Sequence, residues 1–211
     1  MTGKNLEAEI LTKGNKEMWN TRSETKRTFF SGFRNPAIID LPGYTYDFEQ
    51  HEKERTLLRE FFEEQNNSEK ERIRESYNRL AFDHHKKIRK EFTAALKGNH
   101  DLVLGYFSVA DVIGHLNFGN GVLMKMIYRD FDEIAKTIKP PFIVVSDHGM
   151  KPIGIFGDHS EYGFWSSGSV NLGTPRITDF PKIVTDLFRK NHLRRALSEL
   201  KKPDNIKGAN S

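Results

Sequence analysis

The chain has 211 residues, 36% hydrophobic and 29% charged, with a formal net charge of +4. That length and apolar content are enough for one sizeable α/β domain. The lack of cysteine excludes disulfides, cysteine-based zinc sites and thiol nucleophiles, and is compatible with a reducing, cytoplasmic location.

No apolar run reaches the roughly 18–20 residues of a membrane span, and Met1 to Glu9 is too polar for a secretory signal. Basic residues gather at Lys86–Lys90 and Arg189–Lys202. They lie in Glu-containing, helix-like stretches without interleaved aromatics, so they read as solvated faces and not as a nucleic-acid surface. The same charge balance suits a small anionic substrate.

Residues 1–28 show no periodicity and are expected to be irregular. Apolar packing begins at Phe29–Phe33. Ala37-Ile38-Ile39-Asp40-Leu41, closed by Pro42-Gly43, predicts a buried strand and a turn. A charged helical stretch follows, with Leu57, Leu58, Phe61 and Phe62 as its apolar stripe. Asn66-Asn67-Ser68 interrupts it, and Ser68 is the expected N-cap of a second helix built on Ile73, Tyr77, Leu80, Ile88, Phe92 and Leu96. Residues 47–100 are therefore expected to form a helical insert.

Asp101–Ser108 predicts a central strand, Gly119–Ile138 an amphipathic helix stopped by Pro140-Pro141, and Phe142-Ile143-Val144-Val145 a strand buried on both faces of a parallel sheet. Phe164-Trp165 is a short strand candidate, and Thr178 caps a last helix running through Phe188. The tail, 201–211, is expected to be loose. Strands alternating with long helices predict a doubly wound, mostly parallel sheet with helices on both faces, spanning 29–200. In such sheets ligands gather where loops leave the carboxyl ends of strands.

Those positions carry metal-ligand side chains. Asp111 and His115 follow the strand at 101–108. Asp147 and His148 follow the strand at 142–145. His159 comes next, with Asp158 and Glu161 nearby as acceptors for an imidazole N–H. Carboxylate with imidazole suits zinc, manganese or iron(II). Taken singly, each fragment also reads as plain structure. Asp147-His148-Gly149 makes a capped turn, and His159 makes an exposed loop residue.

Together the segments resemble the alkaline phosphatase superfamily, near its type I phosphodiesterase/nucleotide pyrophosphatase and phosphoglycerate-mutase-like branches. The resemblance rests on Asp111-Val112-Ile113-Gly114-His115, Ser146-Asp147-His148-Gly149-Met150, and His159 followed by Gly163-Phe164-Trp165-Ser166-Ser167-Gly168. Ile177-Thr178-Asp179-Phe180 and Asp40-Leu41-Pro42-Gly43-Tyr44 extend it over residues 29–190.

The resemblance implies that Asp111, His115 and His159 hold one divalent ion, zinc or manganese, and that Asp147 and His148 contribute to a second. It implies a metal-dependent phosphodiester or phosphomonoester hydrolase domain acting on a small phosphorylated substrate. The family also uses an aspartate from its first strand and a Ser or Thr nucleophile. Residues 1–28 contain no hydrophobic strand ending in Asp, and Thr21, Ser23, Thr25, Thr28 and Ser31 are hydroxyls outside the expected context. Three expectations follow: a fragment of a longer protein, a shortened relative without catalysis, or a site completed from elsewhere, a second chain included. The alternative function is a non-catalytic metal-binding or interaction domain on the same fold.

Overall fold

The computed structural model describes residues 28–200, with side chains through residue 191. The N-terminal stretch with Thr21, Ser23 and Thr25, and the 201–211 tail, lie outside the described residues. The fold is mixed α/β. Two compact units are described separately: residues 33–171, and residues 28–32 together with 172–200.

The larger unit starts with β1 (Pro36–Ile39). The turn after it closes through Leu41, whose carbonyl accepts the N–H groups of Tyr44 and Thr45 at 3.0 Å. Gly43 takes φ +72°, which a side chain would oppose. Helices α1 (Phe48–Glu63) and α2 (Asn67–Lys97) fill most of the 47–100 stretch as an antiparallel pair. The cap of α2 is Asn66, not Ser68. Asn66 Oδ1 accepts from Ser68 N at 2.9 Å and Glu69 N at 3.3 Å. Asn and Ser are equally good caps, so composition alone did not separate them.

β2 (Leu102–Gly105) runs parallel to β1, with Ala37 opposite Val103. Asp101 sets the start of the pair by accepting from Arg34 N at 2.6 Å and Asn35 N at 3.0 Å. Helix α3 (Val109–Asn117) begins four residues after β2 and α4 (Gly121–Lys136) follows. One core joins α1, α2, α3 and α4 through Leu58, Phe61, Tyr77, Ile113, Leu116 and Ile127. A second, of Ile39, Ile88, Phe92 and Ile134, packs α2 and α4 against β1. Each such fully buried side chain contributes about 1.5–3 kcal/mol.

The sheet differs from expectation. Among the described residues the strands form three two-stranded sheets, of which only β1–β2 is parallel. β3 (Phe142–Ser146) pairs antiparallel with β6 (Phe164–Gly168), and Val144 and Val145 are 38% and 39% exposed. An apolar run records that a strand is suited to burial. It does not name the partner that covers it. β4 (Met150–Ile153) and β5 (Phe156–His159) form a hairpin, where the sequence had suggested a loop around His159.

In the smaller unit, a 3₁₀ turn at Ile177–Asp179 leads into α5 (Phe180–Leu200). The turn is closed by the Arg176 N–H donating to Asp179 Oδ2 at 2.8 Å and the Asp179 N–H donating to the Arg176 carbonyl at 2.9 Å, and Thr178 lies inside it and not at the cap. Thr28 and Ser31 lie here, hydrogen-bonded to each other through their hydroxyls at 2.9 Å.

Candidate metal centre

Asp111 and His115 sit on α3, not in a loop. Their i, i+4 spacing puts both on one helix face. His115 Nε2 is 3.4 Å from Asp111 Oδ1. From the facing hairpin, His159 Nε2 reaches the same oxygen at 3.0 Å. The three ligand atoms lie within 4.8 Å of one another, a grouping able to hold a metal ion.

Two glycines allow the helix and hairpin to approach this closely. A Cβ on Gly157 would lie 2.6 Å from the Gly114 carbonyl oxygen and 2.7 Å from Met150 Sδ. A Cβ on Gly114 would meet only the far end of Met150, 2.5 Å from its Cε. Backbone cannot yield as a thioether end can. Gly157→Ala should therefore push β5 off α3 and weaken metal binding tenfold or more, while Gly114→Ala leaves it within about threefold. Calorimetric titration of both variants with Zn(II) and Mn(II) checks this, and equal effects would refute it.

The donor set suits a divalent ion. His115 Nδ1 lies 3.2 Å from the Gly157 carbonyl oxygen. A carbonyl only accepts, so Nδ1 carries the proton and Nε2 presents its lone pair toward Asp111. The Asp111 and His159 side chains are 31% and 48% exposed, so the site opens to solvent. Burial acts to raise the Asp111 pKa. The hydrogen bond from His159, helped by the imidazoles gathered around it, outweighs burial and holds the carboxyl below its ordinary range. His159 is shifted upward, first by its hydrogen bond to Asp111, against the opposing effect of burial.

Asp147 and His148 stand next to this group but outside it. The His148 ring stacks on His159 with centroids 3.8 Å apart, and its Nδ1 is 3.0 Å from the Gly149 carbonyl oxygen. Asp147 is 79% exposed at its side chain, with Oδ1 3.8 Å from His148 Nε2. Asp158 and Glu161 make no ion pair with these histidines among the described residues. The Nδ1 acceptors are main-chain carbonyls instead.

A second group able to hold an ion was not anticipated: Asp40, His51 and His84, all buried. A signal for it existed. His51 and Glu54 continue the α1 stripe of Leu58 and Phe61, and His84 continues the α2 stripe of Tyr77, Ala81 and Ile88. Polar side chains in register with an apolar stripe are buried, and buried ones need partners.

Among the described residues, no helix is long and apolar enough to cross a membrane. No family model, curated protein or solved structure matches the chain.

Proposed function

We propose that the chain is a metal-dependent phosphoester-processing domain of alkaline-phosphatase-superfamily lineage. The observation that carries this reading is the convergence of His115 Nε2 and His159 Nε2 on a single oxygen of Asp111, at 3.4 and 3.0 Å, in a solvent-open position. A site built only to hold the fold would be closed. Within this reading, β1 and β2 are neighbouring strands of a doubly wound, mostly parallel sheet, and Asp111 lies beyond the carboxyl end of β2, where such folds place ligands. A small phosphorylated substrate and a cytoplasmic location belong to the same reading.

Asp111, His115 and His159 would hold the divalent ion, which would supply Lewis acidity toward a phosphoryl oxygen. The chain's residues orient it. Asp111 supplies the charge, Gly157 O fixes the His115 tautomer, and His148 braces the His159 ring from the side. The outward position of Asp147 favours a second reading, a one-ion, non-catalytic metal-binding domain.

Turnover separates the two. With Zn(II) or Mn(II) and an aryl phosphodiester or monoester, hydrolysis should be metal-dependent, lost in His159→Ala, and about a thousandfold or more below that of a hydrolase with its nucleophile in place. Metal binding with no turnover at all would select the non-catalytic domain. Fast turnover would show that a nucleophile is present, and Thr21, Ser23, Thr25, Thr28 and Ser31 would then be substituted in turn.

A further inference from the structure

Asp40 follows β1 with φ +54°, a left-handed conformation that Asp tolerates better than most residues. Its Oδ1 accepts the Asp47 N–H at 3.0 Å. Its Oδ2 faces the insert, where His51 Nε2 from α1 and His84 Nε2 from α2 each stand 3.3 Å away. The Nδ1 atoms of both rings turn toward Glu54, at 2.8 Å from His51 and 3.6 Å from His84. Gln50 Nε2 donates to Glu54 Oε1 at 3.1 Å, and the Tyr46 ring stacks on His51 at 3.8 Å. No side chain of the four is more than 5% exposed.

Protons alone leave this cluster incomplete. Among the described residues His84 Nε2 is fully buried and makes no well-formed hydrogen bond, its 3.3 Å approach to Asp40 Oδ2 included, a costly state for a polar atom. The two Nε2–Oδ2 separations of 3.3 Å exceed the ~2.7–2.9 Å of a charge-assisted hydrogen bond. They do match the edge of a coordination tetrahedron, since bonds of about 2.0–2.1 Å give edges of about 3.3–3.4 Å. Charge agrees too. One divalent ion replaces the protons of two imidazoliums, so the cluster of two carboxylates and two imidazoles stays neutral.

We propose that Asp40 Oδ2, His51 Nε2 and His84 Nε2 bind a divalent transition-metal ion in a structural site, with Glu54 accepting the His51 Nδ1–H and facing the His84 ring. Two imidazoles with one carboxylate select zinc-like ions over magnesium or calcium. The carboxylate behind the imidazoles is the usual way to fix ring and tautomer at a metal. The ligands come from the turn after β1, from α1 and from α2, so the ion fastens the insert to the end of β1. Burial keeps substrates out, and its role is to hold these elements in place. This site stands whether or not the phosphoester reading holds.

The test uses the full chain carrying Asp111→Asn and His159→Ala, which removes the solvent-open centre. Stripped with chelator and titrated with Co(II), it should take up one ion per chain with the visible bands of tetrahedral coordination. Zn(II) should raise its Tm. Adding Glu54→Gln should weaken the Co(II) affinity about 10–100-fold, and adding His84→Gln should abolish binding. If the His84 variant does not fold, anomalous diffraction from wild-type crystals grown with zinc decides. A peak bounded by Asp40, His51 and His84 supports the site, and zinc at Asp111 with none at Asp40 overturns it. A folded Asp111→Asn/His159→Ala chain that takes up no Co(II) also overturns it, as does full Co(II) binding after His84→Gln.

Discussion

Asp111→Asn should lower the affinity of the solvent-open centre for Zn(II) or Mn(II) by at least a hundredfold. Asp111 Oδ1 is the shared neighbour of both imidazoles, 3.4 Å from His115 Nε2 and 3.0 Å from His159 Nε2. The amide keeps the shape and one acceptor oxygen, but it lacks the charge that draws a dication and is a poor ligand for it. His159→Ala should have a similar effect, because it removes one of three donors. His148→Ala is the informative control. His148 stacks on the His159 ring but is not in the three-ligand group, so it should cost less than tenfold. Calorimetric titration of chelator-treated protein reads all three. The Asp40 cluster gives a separate binding step in each titration, unchanged by these substitutions. If Asp111→Asn leaves the two-step isotherm intact, the assignment of the outer centre fails.

Helices were more legible in the sequence than sheets, for a physical reason. The stripe of Ile73, Tyr77, Leu80, Ile88, Phe92 and Leu96 fixes a helix and its inner face together, and each of these positions is buried or half-buried. A helix satisfies its own backbone, so a local pattern suffices. A strand's partner lies elsewhere in the chain. Phe142–Val145 was readable as a strand, but its antiparallel pairing with Phe164–Gly168 depends on register. There Gly168 faces Phe142, and a Cβ at Gly168 would strike the Phe142 ring. Periodicity carries no such information.

The outer centre was legible for a different reason. Asp111, His115 and His159 are chemically conspicuous in segments rich in glycine, and the structure brings them within coordination reach of one another. What the sequence did not convey was their setting. Asp111 and His115 gain precision from a helix, and His159 from a hairpin strand, both stiffer than the loops expected. The inner cluster stayed hidden because His51, Glu54 and His84 lie among many charged helix residues. Only their phase against the apolar stripe separates them from solvated neighbours such as Lys53 and Lys86.

That phase implies a large energetic consequence, so Asp40→Asn should destabilise the metal-free chain by about 3 kcal/mol or more. Asparagine is nearly isosteric, tolerates the φ of +54° at this position, and can still accept the Asp47 N–H through its amide oxygen. The substitution therefore removes little except the charge. Asp40 and Glu54 together balance His51 and His84. Burial opposes ionisation of both acids, yet the facing imidazoles prevail, holding Asp40 below the ordinary carboxylate range and Glu54 at about 2. The carboxylates in turn raise His84 to about 9 against the opposing effect of its burial. Without the Asp40 charge, two buried imidazoles share one carboxylate, and at least one must lose its proton or remain uncompensated. Urea unfolding in chelator measures the loss. Lys53→Gln is the matched control. It removes an exposed partner of Glu49, 2.7 Å away, and should change stability by less than about 1 kcal/mol. A double-mutant cycle between Asp40→Asn and His84→Gln should show a coupling of about 1 kcal/mol or more. Coupling near zero would mean that the 3.3 Å approach of His84 to Asp40 contributes nothing to holding α2 against the end of β1.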